Sequence, residues 1–147
     1  EIRMAYWLVL IIGLIGGGAV GMQSPIAGAM GQKVGGTASS FIIHLSGMVF
    51  SGLFLFLRGG ERIREWKTLP WYMLAAGIFG LILYLTISVT LPRLGSTMMV
   101  VLIIIGQLVT GVIIDHFGLL GVITRHIDLS RGLGVLALVL GAYLIAK

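Results

Sequence analysis

Long runs of consecutive apolar residues constrain this chain more than any other feature of its sequence. Two of them, Trp7–Ile15 and Met98–Ile105, contain no charged residue and do not alternate between polar and apolar positions. Such alternation is typical of the strands of a membrane β-barrel. A continuous apolar run instead predicts a helix that crosses the hydrocarbon of a bilayer, which takes about 20 residues.

The composition excludes a water-soluble fold. Charged residues make up 10% of the 147 residues and hydrophobic residues 58%, whereas an ordinary soluble domain carries about 25% charged residues. A soluble protein of this size would leave roughly 30% of its extended surface in water, and this chain has too few polar residues to cover that surface. We therefore predict an all-α, polytopic membrane protein. The sequence has no cysteine, which excludes disulfides and thiolate metal sites.

Five apolar stretches predict five transmembrane helices, which form a single predicted domain over residues 1–147. Their approximate bounds are 4–22, 37–57, 69–91, 95–114 and 129–146. The first and fourth stretches continue into further small or apolar residues, up to Met30 and Ile123. As one helix, each would be longer than the ~30 Å of the hydrocarbon, so we expect it to end early, tilt or break. The expected weak points in the first are Gly16–Gly18 and Pro25.

The basic residues predict the orientation of the chain. With five spans, seven Lys and Arg residues fall on the side of the N-terminus and three on the other side. The positive-inside rule therefore favours a cytoplasmic N-terminus, with a bias modest enough that insertion in both orientations stays open. The Lys and Arg residues beside the spans, on both sides of the membrane, give the chain its net charge of +5. We expect them to contact anionic membrane lipid and expect no nucleic-acid partner.

Several polar side chains inside the predicted spans are candidates for binding a small-molecule substrate. His44 lies about two turns inside the second span, on the same helical face as Ser40. An ionisable residue at that depth is costly and is a functional hypothesis by default. It could bind a polar group of the substrate or carry a coupling proton, or it could be a neutral histidine that hydrogen-bonds serine or backbone across a helix seam. The candidate substrate-binding residues are Gln23, Ser24, His44, Tyr84 and Gln107.

Gln107 and Asp115 share one stripe of the fourth span. Gln107, near the middle of the span, must find hydrogen-bond partners there. Asp115 is a candidate for proton coupling, together with His44, if its carboxylate faces a cavity. At the membrane edge it would be an ordinary boundary charge that pairs with Arg125 or Arg131, and this interpretation is slightly favoured.

Two sets of glycines predict close helix packing. Gly13, Gly17 and Gly21 line one face of the first span, and Gly134 and Gly141 lie two turns apart in the last span. Lipid provides no hydrophobic drive between helices, so small residues that let two backbones approach closely favour their association. We expect these glycines to lie at seams between helices, either within the chain or between two copies of it.

The motifs that enzymes use are absent from the sequence. It contains no HExxH, GxSxG, P-loop or dinucleotide-binding fingerprint. Its three histidines, at positions 44, 116 and 126, do not have the spacing of metal ligands on a helix. We therefore predict no enzyme activity, no catalytic residues, no metal site and no cofactor.

Two segments resemble the YdcZ family of bacterial inner-membrane proteins, GMQSPIAGAMGQKVGG after the first span and GQLVTGVIIDHFGLLG in the fourth. These proteins are five-helix members of the drug/metabolite transporter superfamily, and the resemblance covers nearly the whole chain. The last segment, IDLSRGLGVLALVLGAYLIAK, is also similar to the dimerising last helix of small multidrug resistance exporters. The resemblance implies transport of small organic solutes across the bacterial inner membrane, often by proton exchange. It also implies assembly from two inversely oriented helix bundles.

We therefore predict a secondary transporter or exporter that works by alternating access in a dimer. The partner would be a second copy of the chain, which can be antiparallel, or a paralogue. One departure concerns the first helix, where small multidrug exporters carry a membrane-embedded Glu and this chain has no acidic residue between Met4 and Gln32. Proton coupling would then fall to His44 or Asp115. The alternative function is a non-transporting membrane component that packs with a partner membrane protein.

Overall fold

The computed structural model describes residues 2–146, with side chains from Tyr6 to Ile145. Within these residues every regular element is a helix, which confirms the predicted all-α class. Two short 3-10 helices, Ile63–Thr68 and Leu119–Gly121, lie in the connections. The α-helices are α1 (Ile2–Val34), α2 (Gly36–Leu57), α3 (Trp71–Leu74), α4 (Gly77–Phe117) and α5 (Leu129–Ala146).

The length and composition of the helices are those of a membrane protein. In the described part of the chain, three helical segments are long and apolar enough to cross a bilayer, namely Tyr6–Val34, Gly36–Leu57 and Trp71–Phe117. A fourth apolar helix, Leu129–Ile145, is shorter. Large apolar side chains are exposed along all of them. An apolar surface of this extent is stable against lipid and not against water.

Helix α1 continues through both of its predicted weak points. It keeps helical geometry over 33 residues, a length of ~50 Å, with Pro25 inside it. Proline is tolerated in membrane helices where neighbouring segments support the backbone. Here the turn that follows Pro25 is packed, since Ala27 and Gly28 are both buried. Helix α1 therefore neither ends early nor breaks, and it extends well beyond the apolar span 4–22. Of the three expectations for this stretch, a tilt in the membrane stays a prediction.

Helix α4 contains most of the third predicted span and all of the fourth. Without an interruption its 41 residues would form a helix of ~60 Å, about twice the thickness of the hydrocarbon. The interruption lies at Gly95, whose φ of 75° and ψ of 169° fall in a region that only glycine adopts readily. It follows closely after Pro92, where we predicted the third span to end. The two predicted spans thus meet at a position where the backbone leaves the helix.

The chain divides into two compact units, Glu1–Arg93 and Leu94–Lys147. In the first unit, the C-terminal part of α1 packs against α2 and the first part of α4. The Ser39 hydroxyl donates a hydrogen bond to the Ala27 carbonyl at 2.9 Å, and the Gln32 side-chain amide donates to the Ser88 carbonyl at 2.6 Å. These two bonds tie α1 to both of its neighbours. A single domain over the whole chain stays a prediction.

In the second unit, the chain between α4 and α5 is held by backbone hydrogen bonds. The N–H of Arg125 donates to the Asp115 carbonyl at 2.8 Å. Asp128 caps the start of α5, where its carboxylate accepts the N–H of Arg131 and the Ser130 hydroxyl, both at 2.8 Å. The hydrogen bond from the Arg131 N–H, followed by that from Ser130, lowers the pKa of the Asp128 carboxyl below its ordinary value.

The glycine stripes do not form tight seams within the chain. A Cβ atom built on Gly13, Gly17 or Gly21 would meet nothing within 4 Å, and the same holds for Gly134 and Gly141. The close approaches occur instead at other glycines of the first unit, where a Cβ on Gly28, Gly31, Gly36 or Gly80 would crowd a neighbouring side chain. Packing of the predicted stripes between two copies of the chain stays a prediction.

Gly31 provides a test of the packing in the first unit. A Cβ at this position would lie 2.8 Å from the Cβ of Ser88, so Gly31→Ala should destabilise the fold by about 1–3 kcal/mol through overpacking. The gain in helix propensity, about 1 kcal/mol, offsets part of this cost. Thermal unfolding in detergent, followed by circular dichroism, measures the change.

Gly18→Ala is the matched control in the same helix, because a Cβ there would meet nothing within 4 Å. We expect Gly18→Ala to leave the unfolding midpoint unchanged or to raise it. If both substitutions changed the midpoint equally, the contact between α1 and α4 described above would be wrong.

Candidate functional site

Polar side chains from three helices meet in the first unit. The rings of His44 in α2 and Tyr84 in α4 contact edge to face, with centroids 5.5 Å apart and planes at 82°. Tyr84 is buried, and the Gln23 side chain of α1 lies near its hydroxyl. Three of the five predicted substrate-binding residues are therefore linked through Tyr84. We call Gln23, His44 and Tyr84 the His44 cluster.

The hydrogen bonds of His44 determine which of its nitrogens is available. Nδ1 lies 2.7 Å from the backbone carbonyl of Ser40, and a carbonyl oxygen can only accept, so the bond requires the proton on Nδ1. Nε2 is then the acceptor of the neutral ring. Nδ1 is thus bonded to backbone, but the partner belongs to its own helix and not to a neighbouring one. The neutral state of the ring stays a prediction. Nε2 keeps its lone pair for a further partner.

Gly80 of α4 leaves room for the Nε2 atom of His44. A Cβ on Gly80 of α4 would lie 2.5 Å from His44 Nε2, so no larger residue fits there without moving the ring. His44 remains accessible at the helix surface. It lines a groove of about 460 Å³ between α2 and the start of α4. The lining residues of this groove are Thr37, Ser40, Phe41, His44, Gly77, Ile78 and Leu81.

Ser24 does not present its hydroxyl to this groove. The side chain is buried and donates a hydrogen bond to the Val20 carbonyl one turn earlier, at 2.8 Å. A serine inside a helix commonly satisfies its hydroxyl in this way. Ser24 therefore follows Gln23 of the His44 cluster in the sequence, but its hydroxyl is hydrogen-bonded within α1.

Gln107 and Asp115 belong to the second unit, where they line another groove. It has a volume of about 670 Å³ and lies between the second part of α4 and α5. The predicted stripe is therefore real, since Gln107, Gly111 and Asp115 all face this groove from α4. The residues that line it are Ile104, Gln107, Leu108, Gly111, Val112, Asp115, Arg131, Gly134, Val135 and Leu138.

Asp115 pairs with Arg131, as one of the two predicted pairings requires. The Oδ2 atom of Asp115 lies 3.8 Å from Nη1 of Arg131, and both side chains are partly exposed. Nη1 of Arg131 also donates a hydrogen bond to the Arg125 carbonyl at 3.2 Å. Because both residues of the pair line the groove, Asp115 pairs with a charge and faces a cavity at once.

Two polar contacts were missed by sequence reasoning. Gln32 joins α1 to α4 through the Ser88 carbonyl, and its only signal was an amide at the end of a long apolar stretch. His116 accepts the N–H of Ile127 at its Nδ1 atom, at 3.2 Å, and its ring lies 5.4 Å from that of His126. Their separation in the sequence gave no indication of this contact. Within the described residues, no group of three or more His, Cys, Asp or Glu could hold a metal ion.

The apolar helices and the polar side chains along them define a multi-pass membrane protein. The chain matches, over residues 8–144, the family described as "Putative inner membrane exporter, YdcZ". The match spans nearly the whole chain, which therefore belongs to this family, and the predicted resemblance is confirmed. No curated protein and no solved structure matches the chain. The description of the family as one of inner-membrane exporters indicates a membrane transporter.

The contact between Gly80 and His44 can be tested directly. Gly80→Ala should displace the imidazole and destabilise the protein by about 1–3 kcal/mol, because the new methyl group overlaps Nε2. Nitrogen-15 NMR of labelled histidine, with the His44 signal assigned by its loss in His44→Gln, should show a shifted Nε2 resonance.

Gly77→Ala is the control in the same groove, since a Cβ there would meet nothing within 4 Å. Its His44 resonance should match that of the wild type. An unchanged His44 signal in Gly80→Ala would contradict the placement of Nε2 against α4.

Proposed function

We propose that this protein is a secondary exporter of small organic solutes that crosses the membrane five times and works by alternating access as a dimer. The observation that carries the proposal is the His44 cluster, a set of hydrogen-bonding side chains among apolar helices. A polar group inside hydrocarbon is costly unless it has a partner or a function. Membership of an exporter family supports the same conclusion.

In this proposal His44 binds the substrate through Nε2. The neutral ring accepts a hydrogen bond from a donor on the substrate, since its proton is held on Nδ1 by the Ser40 carbonyl. Protonation of Nε2 would replace the acceptor with a donor and add a charge, so binding of a proton and of such a substrate exclude each other. This exclusion is what proton-driven export requires. Tyr84 and Gln23 orient the ring. Gln107, in the second unit, stays a separate candidate for binding a polar group of the substrate.

The sparse interior of the chain supports assembly as a dimer. The buried hydrophobic residues of the described part are Ala27, Tyr84, Ile87, Met99 and Ala142. Among the described residues, no atom lies within 4 Å of a Cβ built on Gly13, Gly17 or Gly21 of α1. A second copy in the inverse orientation would cover such surfaces and would supply the inverted repeat that transporters of this kind use. A paralogous chain could take the same place.

Transport is tested in proteoliposomes with a pH gradient. The vesicles are loaded with a mixture of neutral, cationic and anionic organic solutes, and the solutes released are measured by mass spectrometry against protein-free vesicles. We expect release of at least one solute above background. His44→Ala and Gln107→Ala should each lower its rate about tenfold or more, the cost of losing a buried hydrogen bond to the substrate.

Ser46→Ala is the matched control on α2, because Ser46 is exposed and donates to the Ile43 carbonyl of its own helix. It should transport like the wild type. If neither His44→Ala nor Gln107→Ala affects the flux of a transported solute, the proposed roles of His44 and Gln107 in substrate binding are wrong. If no solute is released above background, the non-transporting alternative is favoured.

The orientation is tested by chemical labelling. The chain contains no cysteine, so Arg64→Cys places a unique thiol in the basic loop between α2 and α3. With the N-terminus in the cytoplasm, a membrane-impermeant maleimide should label this thiol in inverted vesicles and not in intact cells. Labelling from both sides would indicate insertion in both orientations. Labelling in intact cells only would contradict the proposed topology.

A further inference from the structure

The groove of the second unit combines apolar walls with two opposite charges at one end. Its volume of about 670 Å³ falls within the ~300–1,000 Å³ that is usual for sites that bind small molecules. Asp115 and Arg131 lie at that end, and Gln107 lies two helical turns, or ~12 Å, further along α4. Leu108 and Val112 on one side and Val135 and Leu138 on the other form the apolar walls.

The two charges of this groove are close to each other but are not fully bonded. Their nearest atoms are 3.8 Å apart, whereas a charge-assisted hydrogen bond is about 2.7–2.9 Å long. The hydrogen bond of the Arg131 side chain goes to the Arg125 carbonyl. Among the described residues, no donor is hydrogen-bonded to the carboxylate oxygens of Asp115. Both side chains therefore keep bonding capacity for a ligand.

The chain holds this pair in place and leaves the groove beside it open. The backbone of Arg125 donates to the Asp115 carbonyl and accepts from the Arg131 guanidinium, so one residue of the connecting segment positions both charges. Gly111 and Gly134 face the groove from the two helices. A Cβ at either would meet nothing within 4 Å, so the space between the helices is free.

We propose that this groove binds amphipathic zwitterions. The ammonium group of the ligand pairs with Asp115, its acid group pairs with Arg131, and its apolar body lies along the walls toward Gln107. The charges of Asp115 and Arg131 sum to zero, so a zwitterion leaves every charge paired. A ligand with a single charge would pair with one side chain and leave the other without a partner beside the apolar walls, so it should bind more weakly than a zwitterion.

This chemistry has two sources, a free amphipathic solute and the headgroup of an aminophospholipid, whose ammonium and phosphate groups have the same arrangement. The inference rests on the proposed function for its role in transport. Binding itself is independent of transport and is measured without a gradient. Zwitterion binding without solute release would overturn the proposed function alone. Release of other solutes without zwitterion binding would overturn this inference alone.

Three probes with the same hydrocarbon chain test the proposal. They are 2-aminooctanoic acid, octanoic acid and octylamine, which carry a zwitterionic, an anionic and a cationic head. Binding is measured by titration calorimetry on the protein in nanodiscs of digalactosyldiacylglycerol, a lipid with an uncharged headgroup, with empty nanodiscs subtracted. We expect 2-aminooctanoic acid to bind about tenfold or more tightly than either of the others, the gain from one additional charge-assisted bond. Equal affinities for the three probes would overturn the proposal.

Charge variants should then change the preference in opposite directions. Asp115→Asn leaves a positive groove and should make octanoic acid the tightest of the three probes. Arg131→Gln leaves a negative groove and should favour octylamine. Arg93→Gln, which removes a positive charge that does not line the groove, should keep the preference of the wild type. An unchanged order of affinities in both groove variants would overturn the proposal.

Gly134→Leu tests the groove independently of whether the charge variants fold. It fills the groove and keeps both charges. It should weaken binding of 2-aminooctanoic acid about tenfold or more, and unweakened binding would overturn the proposal. Nanodiscs that contain phosphatidylethanolamine distinguish the two sources. A weaker apparent affinity for 2-aminooctanoic acid there identifies the lipid headgroup as a competitor for the site. An unchanged affinity identifies a free solute, and either result supports the class of ligand.

Discussion

Each polar group of this chain that lies in hydrocarbon must find a hydrogen-bond partner without help from water. Most hydroxyls on the long helices meet this requirement through a backbone carbonyl of their own helix, one turn earlier. This holds for Ser24, Ser46, Ser51, Thr86, Thr90 and Thr110. Such residues need nothing further, and their substitution is expected to affect helix stability more than any binding site.

The remaining polar groups keep hydrogen-bonding capacity, and their presence in the helices needs another explanation. Nε2 of His44 faces Gly80 and keeps a lone pair, and the Asp115–Arg131 pair is too long to satisfy its own members. Gln107 faces the same groove as that pair. The residues with unused bonding capacity are thus the ones around which we place the binding of solutes. Polar groups in hydrocarbon need hydrogen-bond partners, and this need makes the chain helical. The same need distinguishes the structural hydroxyls from the candidate sites.

The formation of long apolar helices could be predicted from the sequence, because apolar runs and the thickness of a bilayer require them. Their bounds could be predicted only in part, since α1 extends beyond the span 4–22. The stripe of Gln107 and Asp115 and the pairing with Arg131 followed from helical periodicity and charge. The continuity of α1 could not be predicted, since it depends on the packing of Ala27 after Pro25. The hydrogen-bond partner of the Ser24 hydroxyl could not be predicted either. The side-chain rotamer decides whether this hydroxyl faces a cavity or bonds to its own helix.

A chain with so little buried apolar surface depends on lipid or on another protein chain to cover its helices. In the first unit, close packing is confined to the region where α1, α2 and the first part of α4 meet, around Ala27, Ser40 and Ile87. In the N-terminal half of α1, a Cβ on Gly13, Gly16 or Gly17 would meet no described atom within 4 Å. Lipid can cover that surface, but lipid alone does not build an enclosed, water-accessible path for a solute. We therefore propose that a second chain completes the path.

The most direct test of this account is the number of chains in the active particle. Native mass spectrometry of the protein released from lipid nanodiscs, in the same preparation that transports solutes, measures it. The account predicts particles that contain two chains. A preparation that consists of single chains and still releases solutes from proteoliposomes would contradict it, because one chain would then form the whole path.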